Sequence, residues 1–253
     1  MPDDEIAQTD DGLYLFGRAV VAPIARLIWR PRVLGKKNVP KKGPLILASN
    51  HLSFIDSIAI PMLAPRRVQF LAKSSYFTGK GFSGWFQRAF FSAAGAVPLD
   101  RAAGQAAQGA LEQSRRIIES GTALALYPEG TRSRDGRLYK GRTGVAWLAL
   151  ATGAPVVPVG LKGTNEMLPV DAKFPRFTRI TVEFGAPLDL SHYGDAGSGR
   201  ARREATDEIM AAIQKLSGQE EAGVYNEAPP ATTRERIRRA IKHRGKPELP
   251  FDE

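Results

Sequence analysis

The sequence predicts an α/β fold, in which helices flank a mostly parallel central sheet and an amphipathic helix precedes it. Short apolar runs alternate with helical patterns from residue 44 onward, which is typical of successive strand–helix units. The 253 residues are enough for one domain with a sizeable buried core. Hydrophobic residues make up 43% of the chain and charged residues 25%, which is the composition of a folded protein.

The predicted elements follow one another along most of the chain. Strands are expected at residues 44–48, 68–72, 96–99, 123–127, 156–161 and 180–184. Helices are expected at residues 55–63, 82–93, 104–119, 143–151 and 201–216. Gly153 ends the fourth of these helices, as a glycine often does. No internal repeat is visible, so the sequence predicts one domain over residues 35–216.

Residues 1–34 are predicted to associate with a membrane. The stretch 13–29 is apolar, but arginines interrupt it and it is shorter than a comfortable membrane span. At 100° per residue, Arg18, Arg26 and Arg30 fall within about 120° of one another and leave a broad apolar remainder. We therefore expect a helix that lies in the membrane interface. The alternative is a helix packed on the domain's own core.

The charge distribution indicates an anionic partner. The net charge is +10, which suits a phosphorylated substrate, an anionic membrane or nucleic acid. Between Asp11 and Asp100 there are thirteen Lys or Arg residues and a single acid, Asp56. The tail, residues 217–253, is rich in proline and charge and is expected to be solvated; a basic helix at 234–243 is an alternative membrane contact. The absence of cysteine excludes disulfides, thiolate metal sites and a cysteine nucleophile.

His51 and Asp56 form a candidate catalytic pair. His51 follows an apolar strand, at the strand-to-helix turn where open α/β sheets form ligand crevices. If the helix begins near Ser53, Asp56 lies on its first turn and can reach the imidazole. A carboxylate bonded to one ring nitrogen fixes the tautomer and leaves the other nitrogen free to accept a proton. Backbone amides at the helix start after Asn50 are candidate oxyanion donors. By itself, such a pair is more often structural.

Two further predicted strand ends carry charged residues. The stretch 127–133, Tyr-Pro-Glu-Gly-Thr-Arg-Ser, offers Arg132 as a planar fork suited to phosphate and Glu129 as a hydrogen-bond acceptor. The stretch 95–101 ends in Arg101. Each could be an ordinary turn with a surface ion pair. The carboxyl ends of parallel strands share one edge, so convergence on one crevice is expected.

In this order, these blocks and the apolar stretch 156–161 resemble the glycerolipid acyltransferase family that includes the 1-acylglycerol-3-phosphate (lysophosphatidate) acyltransferases. The resemblance covers roughly residues 35–190 and rests on the Asn-His-x4-Asp and Glu-Gly-Thr-Arg-Ser blocks. It implies that His51 is the general base and that Asp56 orients it. It also implies an acceptor site comprising Lys73, Arg101, Glu129, Gly130, Thr131 and Arg132. Many relatives carry glutamate near position 75, where this chain has serine.

The resemblance implies a transfer of an acyl group from a thioester to the free hydroxyl of 1-acylglycerol 3-phosphate, giving phosphatidic acid. The thioester, of coenzyme A or acyl carrier protein, is a co-substrate, and no cofactor or metal is expected. Glycerol 3-phosphate or another lysophospholipid is an alternative acceptor. The expected location is the cytoplasmic face of the cell membrane, as a peripheral or monotopic protein bound to its anionic surface.

Three other functions compete with this prediction. A hydrolase with an acyl-Ser53 intermediate is disfavoured because no Gly-x-Ser-x-Gly elbow surrounds Ser53. Nucleic-acid binding through the aromatic stretch 76–91 is disfavoured because no nucleic-acid-binding signature occurs. A non-catalytic lipid-binding module would leave the pair of His51 and Asp56 without a purpose.

Overall fold

The computed structural model describes residues 11–99, 106–170, 172 and 174–227. These residues form a seven-stranded sheet in the order β1-β7-β6-β2-β5-β3-β4. The strands are β1 (Arg32–Leu34), β2 (Leu45–Ser49), β3 (Val68–Lys73), β4 (Ala96–Leu99), β5 (Ala123–Leu126), β6 (Val156–Lys162) and β7 (Thr181–Phe184). Five of the six neighbouring pairs are parallel, and only β6 and β7 pair in the antiparallel direction. The predicted α/β fold with a mostly parallel sheet is confirmed.

Helices connect the strands and cover both faces of the sheet. They are α1 (Asp11–Phe16), α2 (Ala22–Trp29), α3 (Asp56–Leu63), α4 (Gly81–Ala93), α5 (Ala106–Glu119), α6 (Gly144–Thr152), α7 (Thr164–Met167) and α8 (Gly199–Ser217). A π-helical turn, Gly17–Val21, joins α1 to α2. Short 3-10 turns lie at Lys36–Asn38, Ser74–Tyr76 and Ser191–Tyr193.

The middle strand, β2, shows why the apolar runs fold as buried strands. All five of its residues are buried, because a helical layer covers each face of the sheet. Leu45 and Leu47 pack into the core beneath α3 and α4, whereas Ile46 and Ala48 pack toward α5, α6 and α8. The two-residue period of a strand thus divides one run of sequence between two cores. Both faces of β2 are thus held by packing, so its last residue, Ser49, is fixed at the carboxyl edge of the sheet.

Strand β1 was not predicted from the sequence. It is only three residues long and lies at the sheet edge, where it pairs in parallel with β7. Three residues are too few to show a two-residue hydrophobic period. Each of the six predicted strands is present, and each boundary differs from the prediction by at most one residue.

The N-terminal helical segment packs on the domain through arginine hydrogen bonds and the buried ring of Tyr14. Arg18 donates to the carbonyls of Ala64 and Arg66, and Arg26 donates to that of Met62. These carbonyls lie at and just beyond the end of α3, where backbone acceptors lack helical partners. Apolar side chains on the other side are exposed: Leu15, Val20, Ile24, Leu27 and Ile28. No helix in the described ranges has the length and apolar character needed to cross a bilayer.

The start of the tail also packs on the domain. After α8 ends at Ser217, residues 219–226 run beside residues 136–142, and Asn226 is 1% exposed. The sequence placed this segment in a solvated tail because its composition is polar. The structure thus extends the packed part of the chain to at least Asn226. The basic stretch predicted to be helical at 234–243 lies outside the described residues.

Candidate active site

His51 and Asp56 meet at the carboxyl end of β2. The distance between His51 Nδ1 and Asp56 Oδ2 is 2.8 Å. Asp56 is fully buried, whereas 15% of the His51 side chain is exposed. Because a carboxylate only accepts hydrogen bonds, this contact places the ring proton on Nδ1 and leaves Nε2 unprotonated in the neutral imidazole. Nε2 has no hydrogen-bond partner within the described ranges.

The backbone before α3 explains how a five-residue separation brings this pair together. Asp56 Oδ2 also accepts the backbone N–H groups of Leu52, at 2.6 Å, and Ser53, at 2.7 Å. A first-turn acid that reaches back to earlier amides resembles half of a capping box. The same contacts occupy the amides expected as oxyanion donors, and the amide of His51 is bonded to Glu129. The amides of residues 51–53 are thus already bonded within the protein, and an oxyanion role for backbone amides at this helix start stays a prediction.

Glu129 ties the His51 turn to the loop that follows β5. Its side chain is fully buried; Oε1 accepts from the His51 amide at 2.9 Å, and Oε2 accepts from the Tyr139 amide at 3.0 Å. Burial raises the pKa of Glu129 to about 7, although the two amide bonds favour the charged form and oppose this rise. Because a backbone amide bonds to each oxygen, Glu129 supports the His51 turn, and its predicted contact with an acceptor stays a prediction.

The loop 129–133 is joined to the His51 turn at a second point. The amide of Ser133 donates to the carbonyl of His51 at 2.7 Å, so residue 51 is held on both its N–H and its C=O. Gly130 has a φ of +79°, a conformation that L side chains rarely adopt. A side chain at this position would also approach Arg142 Nε at 3.1 Å. Glycine thus permits both the turn and the close approach of Arg142.

Tyr127 stacks on the ring of His51. The ring centroids are 3.9 Å apart and the planes differ by 12°. The Tyr127 hydroxyl lies 3.0 Å from Ser57 Oγ, which anchors the far end of the phenol ring on α3. Burial is the main cause that raises the pKa of Tyr127 well above its usual value, so the phenol is neutral at physiological pH. Sequence reasoning missed this contact; the only available signal was an aromatic residue before Pro128.

The predicted cationic residues have different outcomes. Lys73 ends β3, which neighbours β5, and it is exposed. At the usual strand spacing, the β3 end lies roughly 10 Å across the sheet from the end of β2. Arg132 lies on the loop beside His51, and within the described ranges its guanidinium has no hydrogen bond or ion pair. Arg101 lies outside the described residues. Arg142, which the sequence did not single out, packs over Gly130.

Ser53 is placed for structure rather than for nucleophilic attack. It is fully buried, and its hydroxyl donates to the carbonyl of Leu168 at 2.6 Å. His51 Nδ1 is bonded to Asp56. A hydrolase mechanism needs an accessible serine paired with a base, and the buried, bonded hydroxyl of Ser53 does not provide one.

Comparison with known proteins identifies the family. A family model described as Acyltransferase matches residues 30–162, which is just over half of the chain. The chain belongs to the acyltransferase family. The match contains His51, Asp56, Lys73 and the loop 129–133, so these residues lie in the family's own region. It ends before the packed start of the tail, residues 219–226.

Several relatives of this acyltransferase carry more specific names. It is 32% identical over 146 residues to the chloroplastic 1-acyl-sn-glycerol-3-phosphate acyltransferase BAT2 of Brassica napus, covering 57% of this chain and 41% of that protein. It is 31% identical over 165 residues to the 1-acyl-sn-glycerol-3-phosphate acyltransferase of Limnanthes douglasii, covering 64% of this chain and 56% of that protein. This chain therefore spans only about half the length of these relatives.

A solved structure has the same fold. It is the 1-acyl-sn-glycerophosphate (LPA) acyltransferase PlsC from Thermotoga maritima, which matches with a TM-score of 0.58 and 24% identity. The match covers 81% of this chain and 78% of that one. At this identity, the likeness supports the fold of the acyltransferase described above and carries no assignment of individual residues.

Proposed function

We propose that this acyltransferase moves an acyl group from an acyl thioester to the free hydroxyl of 1-acylglycerol 3-phosphate, giving phosphatidic acid. The observation that carries the proposal is the state of His51. Its Nδ1 donates to buried Asp56 at 2.8 Å, and the opposite nitrogen, Nε2, is left as a proton acceptor. Arg132, on a loop hydrogen-bonded directly to His51, supplies a positive charge suited to the phosphate of the acceptor.

The proposed reaction needs one base and no covalent enzyme intermediate. His51 Nε2 takes the proton of the acceptor hydroxyl as its oxygen attacks the thioester carbonyl carbon. The new C–O bond forms, the C–S bond breaks, and the departing thiolate takes the proton back from Nε2. Asp56 stabilises the imidazolium that exists between these two transfers. The enzyme therefore returns to its starting protonation state after each turnover.

The names of the relatives favour a phosphate-bearing acceptor. Proteins with 31–32% identity over the matched region are 1-acyl-sn-glycerol-3-phosphate acyltransferases. The exposed amine of Lys73 and the guanidinium of Arg132 would suit such a phosphate, and Arg142 provides a third cation beside Gly130. Gly130 and Thr131 are included in the proposed acceptor site because they directly precede Arg132 on the same loop.

The test of this proposal is an acceptor panel. Purified protein would be incubated with a labelled acyl thioester, of coenzyme A or acyl carrier protein, and each acceptor in turn. The acceptors are 1-acylglycerol 3-phosphate, glycerol 3-phosphate and lysophosphatidylcholine, with His51→Ala as the blank. We expect phosphatidic acid as the main product. The proposed acceptor is wrong if another acceptor is preferred, and acyl transfer itself is wrong if no product exceeds the blank.

We also propose that the enzyme works at an anionic membrane surface on the cytoplasmic side, as a peripheral or monotopic protein. Two neighbouring elements support this. The N-terminal helical segment exposes apolar side chains, and α4, which packs against it at Gly17 and Ala93, exposes aromatic ones: Phe82, Trp85, Phe86 and Phe90. Lys80 and Arg88 are exposed at the same helix. An apolar face bordered by cations suits a bilayer with anionic lipids.

Vesicle binding tests the membrane proposal. The triple variant Phe82→Ser, Trp85→Ser, Phe86→Ser should bind vesicles that contain phosphatidylglycerol at least about tenfold more weakly. Each substitution removes an aromatic ring whose apolar area would be buried in the bilayer. Val224→Ser, an exposed apolar residue on the packed start of the tail, is the matched control. Equal binding of the triple variant and the control would place the membrane contact elsewhere.

A further inference from the structure

The segment Gln219–Asn226, which we call the strap, runs from the end of α8 across the loops of the active site. The helix reaches this edge because Gly160 on β6 lets it approach closely; a side chain at Gly160 would lie 2.6 Å from Leu216 Cβ. The strap then pairs with residues 138–140 through three backbone hydrogen bonds of 2.8–2.9 Å. It lies outside residues 30–162, the region that the family model matches.

Two side chains of the strap reach toward the active site. Gln219 donates to the carbonyl of Gly136 at 2.7 Å and accepts from Asn50 Nδ2 at 2.7 Å. Asn50 is the residue before His51 and also exchanges two hydrogen bonds with the backbone of Leu161. Gln219 thus supports the His51 turn from behind.

Asn226 supports the other side of the site. Its side-chain amide donates to the carbonyls of Thr131, at 3.3 Å, and Arg132, at 3.1 Å. Its own carbonyl accepts from the guanidinium of Arg142 at 3.1 Å. Asn226 is 1% exposed, so its amide has no access to water as a replacement partner.

These contacts fix the backbone from which Arg132 extends. Within the described ranges, the Arg132 side chain makes no hydrogen bond of its own, so its position depends on its backbone. The loop contacts the His51 turn through Glu129 and Ser133, and Asn226 is the contact nearest the cation. A shift of residues 131–132 that leaves the contacts of Glu129 and Ser133 in place would move the charge away from an acceptor phosphate without disturbing the pair of His51 and Asp56.

We propose that the strap positions Arg132 for the acceptor phosphate and that Asn226 is the positioning residue that does so. This inference rests on the proposed function, because it takes the phosphate of the acceptor as the ligand of Arg132. It assigns a catalytic purpose to a segment of the chain beyond the matched family region. Asn226 itself is not expected to contact the substrate.

The kinetic test is a double-mutant cycle on the full chain. Asn226→Ala should raise the KM for 1-acylglycerol 3-phosphate about tenfold, equivalent to about 1.4 kcal/mol, and should leave kcat and the KM for the thioester within about twofold. In an Arg132→Ala background the same change should have almost no further effect on KM. Asn226→Leu, which has a similar branched outline and no hydrogen-bond donors, should behave like Asn226→Ala. Val224→Ala is the control within the strap.

A second measurement does not depend on activity. Hydrogen exchange of the amides of Gly130 and Ser133 should accelerate in both Asn226 variants and stay unchanged in Val224→Ala. Unchanged exchange, or an Asn226 effect that adds fully to that of Arg132→Ala, would overturn the inference. If wild-type protein transfers no acyl group, the proposed function fails, and the exchange measurement alone then decides whether the strap holds the loop.

Discussion

His51 and Asp56 lie in a network of hydrogen bonds that includes most of the backbone groups around them. By contrast, the side chains of Lys73 and Arg132 make no hydrogen bond or ion pair with the described residues. On the first side, one carboxylate oxygen accepts three hydrogen bonds, and residue 51 is held by both its N–H and its C=O. On the second side, only the backbone is held. The proposed base is therefore preorganised, while the two cations have no protein partner among the described residues.

This difference indicates how each side contributes. A preorganised base lowers the barrier to proton transfer because little reorganisation is needed during the reaction. Cations without protein partners contribute only when an anion arrives, so they act on affinity and orientation. Substitutions on the two sides should therefore separate into effects on kcat and effects on the acceptor KM.

The largest effect is expected at His51. Replacing it with alanine removes the proposed base and should lower kcat about 10²- to 10⁴-fold, the range of general-base contributions. The acceptor KM should change little, because the cations are intact. Near-UV circular dichroism would verify that the fold is retained. Residual transfer above one-tenth of wild type would contradict the general-base role.

The next effect concerns the stability of the fold. It tests Glu129, which supports the His51 turn, separately from His51 itself. Glu129 has a pKa of about 7 in the folded protein against 4.5 as its ordinary value, and the cause is burial. Between these pH values, the folded state keeps a proton that the unfolded state has lost. Stability therefore falls as the pH rises from about 4.5 to 7, by roughly 3 kcal/mol from this group.

Glu129→Gln should lack this pH-dependent component of the free energy of unfolding. Relative to wild type, the variant should gain stability as the pH rises and reach the full difference near pH 8, when wild-type Glu129 is ionised. Urea unfolding at several pH values measures this difference, with unchanged m-values as the control for two-state behaviour. If the free energies of unfolding of the two proteins differ by a constant amount across this pH range, burial does not shift the pKa of Glu129.

A smaller effect is expected on the cation side. Arg132→Ala should raise the KM for 1-acylglycerol 3-phosphate about 10- to 30-fold, within the energy of a charge-assisted hydrogen bond, and should leave kcat nearly unchanged. Arg132→Lys keeps the charge but not the planar fork, so it should recover part of the affinity. An acceptor without phosphate should show no dependence on this residue. A fall in kcat with constant KM would assign Arg132 to the transition state instead.

The sequence predicted the contact between residues close together along the chain and the convergence of the strand ends at residues 51 and 127–133, but not which atoms join the distant segments. The pair of His51 and Asp56 was predictable because a strand end and a first helical turn bring residues five apart together. The bond from Glu129 to the His51 amide spans 78 positions, and that from Asn50 to Gln219 spans 169. Which backbone amides donate to a buried carboxylate depends on tertiary packing, so the bonds from the His51 and Tyr139 amides to Glu129 could not be predicted from its motif.

The N-terminal helix was expected to lie in the membrane interface, with a helix packed on the domain as the alternative. In the structure, Arg18 and Arg26 donate to carbonyls near the end of α3, and several apolar side chains of the segment are exposed. The spacing of the arginines was informative, but the direction they face depended on unpaired acceptors elsewhere in the chain.

The smallest effect is expected at Tyr127, which belongs to both sides of the comparison because it stacks on His51 and begins the segment that carries Arg132. Tyr127→Leu should lower kcat about fivefold to tenfold, since the imidazole loses the ring that restricts its orientation, and such ring pairs contribute about 0.5–1.5 kcal/mol. Tyr127→Phe keeps the ring and loses only the bond to Ser57, so it should stay within about twofold of wild type. Steady-state kinetics with saturating acceptor compares the two variants directly. If phenylalanine is as damaging as leucine, the hydroxyl contact with α3 is what matters, and the orientation of His51 is set from the helix rather than from the stacked ring.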